Sequence, residues 1–183
     1  MIGVLALQGA FAAHGRSLAA LGHASREVRA PRDLDGLAGL VLPGGESTAQ
    51  RELLGALGLL EPLARFVATC APIFATCAGL VLAARFGWLD VDVARNAFGP
   101  QTESFEDVDD AGAVPLVLIR APRITRVGAA VRVLATWRGE PVLVREGHVV
   151  GATFHPELTS SLDVHRLAFG DARPRAELPV NAA

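Results

Sequence analysis

Cys77 stands between the apolar run Pro72–Thr76 and a second apolar stretch that opens on the small residues Ala78 and Gly79. A strand that ends in a nucleophile and turns at once into a helix exposes that side chain at the turn. The positive end of the helix stabilises an anion beside it, and the Ala78 N–H points at the same space. Ala75, Ala78 and Gly79 are small enough for a crowded turn. A thiol so placed can attack a carbonyl carbon when a base is at hand. His155 and Glu157, two residues apart in Phe154-His155-Pro156-Glu157, offer one. On an extended segment positions i and i+2 face the same way. Glu157 can then accept from one imidazole nitrogen while the other faces the thiol. Gly44-Gly45 lets a backbone approach a ligand closely and present N–H donors. Each feature has a plain structural reading when taken alone: a packing Cys, a capped turn, a tight Gly-Gly turn. Their joint occurrence argues for chemistry. Cys70, at a helix end with no base in view, is expected to be a packing residue. His14, His23, His148 and His165 have no partner in the local sequence and are expected to be surface or satisfied polar groups.

The elements that must position these residues follow from periodicity. Ile2–Leu7 reads as a buried parallel strand and Phe11–Leu21 as a helix stopped by Gly22. Strands are expected at Ser25–Arg29 and Leu37–Leu42. Ser47 is the expected N-cap of a helix reaching about Gly58. A further helix over Pro62–Cys70, a strand over Pro72–Thr76 and a helix over Ala78–Phe86 complete a β-α-β-β-α-α-β-α half. Strands at Val114–Ile119, Val131–Trp137, Pro141–Arg145 and His148–Phe154 follow, then a helix over Leu162–Phe169. The alternation predicts a three-layer αβα fold with a mainly parallel open sheet and a nucleophile elbow. In such sheets sites form beyond the C-terminal strand ends. Gln8-Gly9, Gly44–Ser47, Cys77-Ala78 and His155–Glu157 all fall there. One domain over residues 1–170 is expected, with a frayed tail over 171–183.

The chain's 183 residues are 51% hydrophobic and 20% charged, enough apolar material for a sizeable core. Net charge is −2, so no global basic field points to nucleic acid or an anionic membrane. Two Cys make neither a disulfide framework nor a zinc site, so no metal or cofactor is expected, and a reducing cytoplasm suits them. Gly, Pro and charges interrupt every apolar stretch short of a membrane span. The N-terminus runs straight into a strand rather than a signal peptide.

The chain resembles the class I (triad) glutamine amidotransferases, and within them the glutaminase subunits of pyridoxal 5′-phosphate synthase, the PdxT family. The resemblance rests on G-V-L-A-L-Q-G-A (3–10), L-P-G-G-E-S-T (42–48), T-C-A-G-L (76–80), R-N-A-F-G (95–99), E-S-F-E (103–106), I-R-A-P (119–122) and F-H-P-E-L-T (154–159), in family order. It implies that Cys77 attacks the carboxamide of L-glutamine, that His155 acts as base and then acid, and that Glu157 orients it. Gly45 and Ala78 resemble the oxyanion donors, with Gln8 on the same side. Gly44, Gly45, Glu46, Ser47, Arg95, Ile119 and Arg120 resemble the glutamine-holding positions. An Arg there makes physical sense, because free glutamine carries an α-carboxylate that suits a guanidinium. The resemblance further implies that ammonia passes to a separate (β/α)₈-barrel synthase subunit in a large hetero-oligomer. The chain departs from the family pattern at Ala75, at Pro100 and in a shortened segment from Phe86 to Asp92; none of these removes a catalytic group. Other acceptors for the ammonia, a non-catalytic binding subunit and a Cys peptidase on the same sheet are the competing readings.

Overall fold

A computed structural model describes residues 1–95 and 104–171. The expected tail after Asp171, and the positions Asn96–Gly99 and Pro100, lie outside the described residues.

The elements are β1 (Ile2–Leu5), α1 (Phe11–Ala20), β2 (Ser25–Val28), β3 (Gly39–Leu42), α2 (Ser47–Ala56), α3 (Leu60–Val67), β4 (Ile73–Thr76), α4 (Ala78–Arg85), β5 (Val91–Ala94), β6 (Phe105–Val108), β7 (Pro115–Leu118), β8 (Arg123–Val127), β9 (Arg132–Trp137), β10 (Glu140–Glu146), β11 (Val149–Ala152) and α5 (Asp163–Phe169). Seven strands form the main sheet in the order β2-β1-β3-β4-β11-β10-β9. The first five run parallel, while β10 and β9 pair antiparallel. β5 with β8, and β6 with β7, form two small antiparallel ribbons.

Alternation along each strand sorts the side chains into two cores. Leu40, Leu42, Ile73 and Ala75 face one side and pack with Leu54 of α2, Leu63 of α3 and Leu80 of α4. Val41, Phe74 and Val150 face the other and pack with Leu18 of α1 and Val164 of α5. The sheet is therefore the middle of three layers, as its alternating pattern predicts. Burying each of these aliphatic side chains contributes about 2 kcal/mol.

Several expectations are corrected. Glu46, not Ser47, caps α2: its carboxylate accepts from Thr48 N (2.9 Å) and Ala49 N (2.7 Å). Two carboxylate oxygens reach two free amides, which a single hydroxyl cannot do. The helix expected over Pro62–Cys70 starts at Leu60 and ends at Val67. Pro62 lies in its first turn, where a missing N–H is harmless. Cys70 is exposed, at φ 62°, and packs into no core. The strands β5, β6 and β8 fall where no strand is expected: each is only four or five residues long, and their charged side chains stay in solvent.

Candidate active site

Register brings the elbow and His155 together. β11 pairs with β4 so that Ala152 lies beside Thr76, and Cys77 N donates to Ala152 O at 2.8 Å. His155 follows three residues later, its backbone N–H bonded to Val117 O of β7. Cys77 sits at φ 46° and ψ −104°, between the end of β4 and the first turn of α4. A non-glycine residue in that region is strained and persists only where its surroundings impose it. Gly44 abuts both side chains: a methyl on its Cα would lie 2.3 Å from His155 Cε1 and 3.4 Å from Cys77 Cβ.

The His155–Glu157 contact forms, although not by the route expected from an extended segment. Pro156–Leu158 is a 3₁₀ turn, and His155 Nδ1 donates to Glu157 Oε1 at 2.8 Å across it. Glu157 is buried behind the imidazole. Burial alone would neutralise the pair. For His155, hydrogen bonding and charge from Cys77 and Glu157 outweigh burial, and its proton affinity is raised well above the ordinary histidine range. For Glu157, burial acts upward, but the hydrogen bond from His155 and the nearby histidines hold the carboxyl below its usual range. The outcome favours an imidazolium beside Cys77 and a carboxylate behind it.

Cys77 and His155 open onto a cleft of about 490 Å³. Gln8, Gly44, Gly45, Glu46, Ser47, Ala78, Arg95, Ile119 and Arg120 all line it, and Glu157 does not reach it. No hydrogen bond among the described residues engages the Gly45 or Ala78 N–H. Gly44 N–H is tied to Thr76 Oγ1 (3.0 Å), and Glu46 N–H to Gln8 Oε1 (2.6 Å). Arg95 donates to Ser47 Oγ and Thr48 Oγ1, which places its guanidinium by the first turn of α2. Gly9 must stay bare: at φ +104° its Cα faces Gly44 O, and a methyl would meet that oxygen at 1.9 Å.

Other residues reach the site only in three dimensions. Gln50, fully buried on α2, donates to Gln8 O (2.9 Å) and Pro43 O (3.2 Å) and so joins the loops after β1 and β3. His14 and His165 are also fully buried, bonded to each other at 2.9 Å from α1 and α5. Of the two expected readings, surface or satisfied polar group, the second holds: His14 is bonded at both ring nitrogens and His165 at Nε2, from elements distant in sequence. His14 does lie one turn before Leu18 on the buried face of α1, a signal visible in the helical spacing.

Those two histidines predict an acid-sensitive fold. Burial, the leading cause for both, lowers their proton affinity from the ordinary 6.5 to about 4 for His14 and about 3 for His165. The unfolded chain protonates both near pH 6.5, whereas the native protein does not. Stability is therefore full above pH 6.5 and lost as pH falls towards 4, by about 3 kcal/mol per histidine. His155 has the opposite shift, so its contribution is intact throughout this acid window. Urea midpoints between pH 7 and 4.5 should fall steeply, and a flat profile would refute this account of the buried pair.

The comparisons decide the family. Residues 4–170 match the SNO glutamine amidotransferase family. The chain belongs to that family. A protein of Deinococcus radiodurans named pyridoxal 5′-phosphate synthase subunit PdxT is 47% identical over 96% of this chain and 98% of its own length. A protein of the same name from Desulforudis audaxviator is 45% identical over 90% of this chain and 95% of its own. A crystal structure described as a glutamine amidotransferase superposes with a TM-score of 0.84 at 42% identity, covering 91% of this chain and 95% of that one. The three-layer fold expected of a class I amidotransferase is therefore the fold of this chain. Among the described residues no helix is long and apolar enough to cross a membrane.

Proposed function

We propose that the chain is the glutaminase subunit of a pyridoxal 5′-phosphate synthase. The observation that carries this is Cys77 at a strained elbow, beside a His155–Glu157 pair, in an amidotransferase whose relatives bear that subunit name over nearly their whole length.

The chemistry follows from the groups at hand. Free glutamine binds with its α-carboxylate toward Arg95 and the first turn of α2, and its carboxamide toward Cys77. Gly44–Ser47, Ile119 and Arg120 form the rest of the cleft wall. Cys77 Sγ, its proton passed to His155, attacks the carboxamide carbon, and the C=O electron pair moves onto oxygen. The Gly45 and Ala78 N–H groups stabilise that oxyanion, with Gln8 fixing the loop that carries Gly45. His155 then gives its proton to the departing nitrogen, so ammonia leaves and a γ-glutamyl thioester remains. His155 next takes a proton from water, whose oxygen attacks the thioester. The C–S bond breaks, His155 returns the proton to Sγ, and glutamate leaves with the thiol restored. Glu157 orients His155 through both steps and stabilises its charged form.

On this reading ammonia is handed to a separate synthase subunit, a (β/α)₈ barrel in a large hetero-oligomer, in the cytoplasm. The test is turnover of glutamine labelled with ¹⁵N in its amide, with and without the cognate synthase subunit and its phosphorylated sugar substrates. Glutamate release should rise with the synthase subunit present, and ¹⁵N should enter the pyridine ring. Glutamate without ring label would overturn the assignment of the acceptor.

A further inference from the structure

The triad carboxylate has two oxygens, and the mechanism above uses one. Glu157 Oε1 accepts the hydrogen bond from His155 Nδ1–H; Oε2 is fully buried, has no aligned hydrogen bond and lies 3.4 Å from His14 Nε2. The same nitrogen is 3.1 Å from Thr76 Oγ1, which also accepts the Gly44 N–H at 3.0 Å. Behind the ring, His14 Nδ1 is 2.9 Å from His165 Nε2. Both histidines meet Phe74 edge-on, at ring separations of 5.9 and 5.2 Å. His165 Nδ1 has no partner among the described residues.

The protons can be placed from these contacts. A lone pair on His14 Nε2 would face a carboxylate, so that nitrogen carries the hydrogen. The neutral ring then has a bare Nδ1, which receives the His165 Nε2–H. His165 Nδ1 is left as the bare end of the chain. All the protons point toward Glu157, from one side through His155 and from the other through His14.

We infer that His14, held in its tautomer by His165, is a positioning residue for the glutaminase: its Nε2–H, hydrogen-bonded to Thr76 Oγ1, faces the second oxygen of Glu157 from 3.4 Å and holds it electrostatically, while Thr76 links the same nitrogen to the Gly44 peptide beside Cys77. The inference rests on the reading of Cys77, His155 and Glu157 as the triad. A carboxylate turns easily about its last torsion. Without His14, Oε1 can swing off the His155 N–H and the base loses its orientation. α1, which carries His14, begins directly after the Gln8–Ala10 loop, and Ala10 N donates to Gly44 O at 3.0 Å. One helix thus supports the carboxylate from behind and the Gly44 loop in front.

The experiment compares His14→Leu and His14→Gln with the wild type, assembled with the synthase subunit. His14→Gln keeps an N–H donor near the Nε2 position. In His14→Leu kcat for glutamine should fall roughly ten- to a hundredfold, the loss expected for one hydrogen bond to a charged group. KM should stay within about twofold, since His14 does not line the cleft. His14→Gln should recover most of kcat. In the glutamine-free protein, the low-field proton resonance of the His155 Nδ1–H should shift in His14→Leu and return toward its wild-type position in His14→Gln. If both variants lose stability and kcat in parallel while that resonance stays in place, His14 only packs and the inference fails. Should His14→Leu not fold, Thr76→Val removes the shared acceptor at constant shape and should move the same resonance; an unmoved one again overturns the inference. A wild type that releases no glutamate refutes the triad itself, and the resonance separates that failure from this one.

Discussion

Cys77→Ala is expected to lose glutamate release by on the order of 10⁴-fold or more, while folding and assembly with the synthase subunit persist. No other thiol can substitute: Cys70, the only other cysteine, is exposed at the far end of α3. The other residues that line the cleft offer no sulfur to form a thioester. The substitution removes one atom from a residue already 7% exposed, beside an open cleft, so it creates little cavity. A second consequence separates the chemistry from the fold. His155 holds its proton against burial because Cys77 and Glu157 both favour the charged ring. Removing Cys77 deletes one of those two supports, so the His155 titration should move downward. Activity measured beside an NMR titration of His155 checks both. Substantial turnover by Cys77→Ala would refute the nucleophile assignment, and an unmoved titration would refute the coupling of His155 to Cys77.

Gly79→Ala is expected to cost about 3 kcal/mol and to disable the elbow. A methyl on Gly79 would lie 1.9 Å from the carbonyl oxygen of Leu42 and 2.6 Å from its carbonyl carbon. Both atoms belong to the backbone of β3, so no side-chain rotation relieves the clash. Either α4 lifts from the sheet or β3 gives way. Moving α4 displaces Cys77 and the Ala78 N–H; moving β3 displaces Pro43 and the loop that carries the Gly45 N–H. For a chain of this size the loss should lower the thermal midpoint by roughly 6–12 °C. The midpoint and glutamine turnover should fall together. A stable, fully active variant would show that the helix does not need so close a seat on β3.

Close contacts of this kind mark where sequence reading stops. The small residues around Cys77 were legible because a strand-to-helix turn demands them at fixed offsets. That the offset matters because Leu42 O sits beneath Gly79 was not legible, since Leu42 is 37 positions away. The Glu46 cap was missed for a local reason: a hydroxyl and a carboxylate are both good caps, and only the geometry of the Gly45–Ser47 turn selects the carboxylate. His155 and Glu157 could be paired by spacing, yet the extended geometry assumed for them is a 3₁₀ turn. Either geometry permits the contact, so the pairing survived a wrong premise. That His14 and His165 satisfy each other was not legible, because they are 151 residues apart and nothing near either residue announces the other.

By itself, then, the sequence determined the alternation of strands and helices, the elbow at Cys77, the pairing of His155 with Glu157 and the set of residues gathered at the strand ends. These follow from short-range rules: periodicity, turn chemistry and spacing within a few residues. Tertiary structure alone decided the register that sets Ala152 beside Thr76, the latch of Gln50 across two loops and the buried line from His165 through His14 to Glu157. Those depend on which faces of α1, α5 and β4 meet in the core. Burial there makes each polar contact strong, and no local stretch of the chain encodes it.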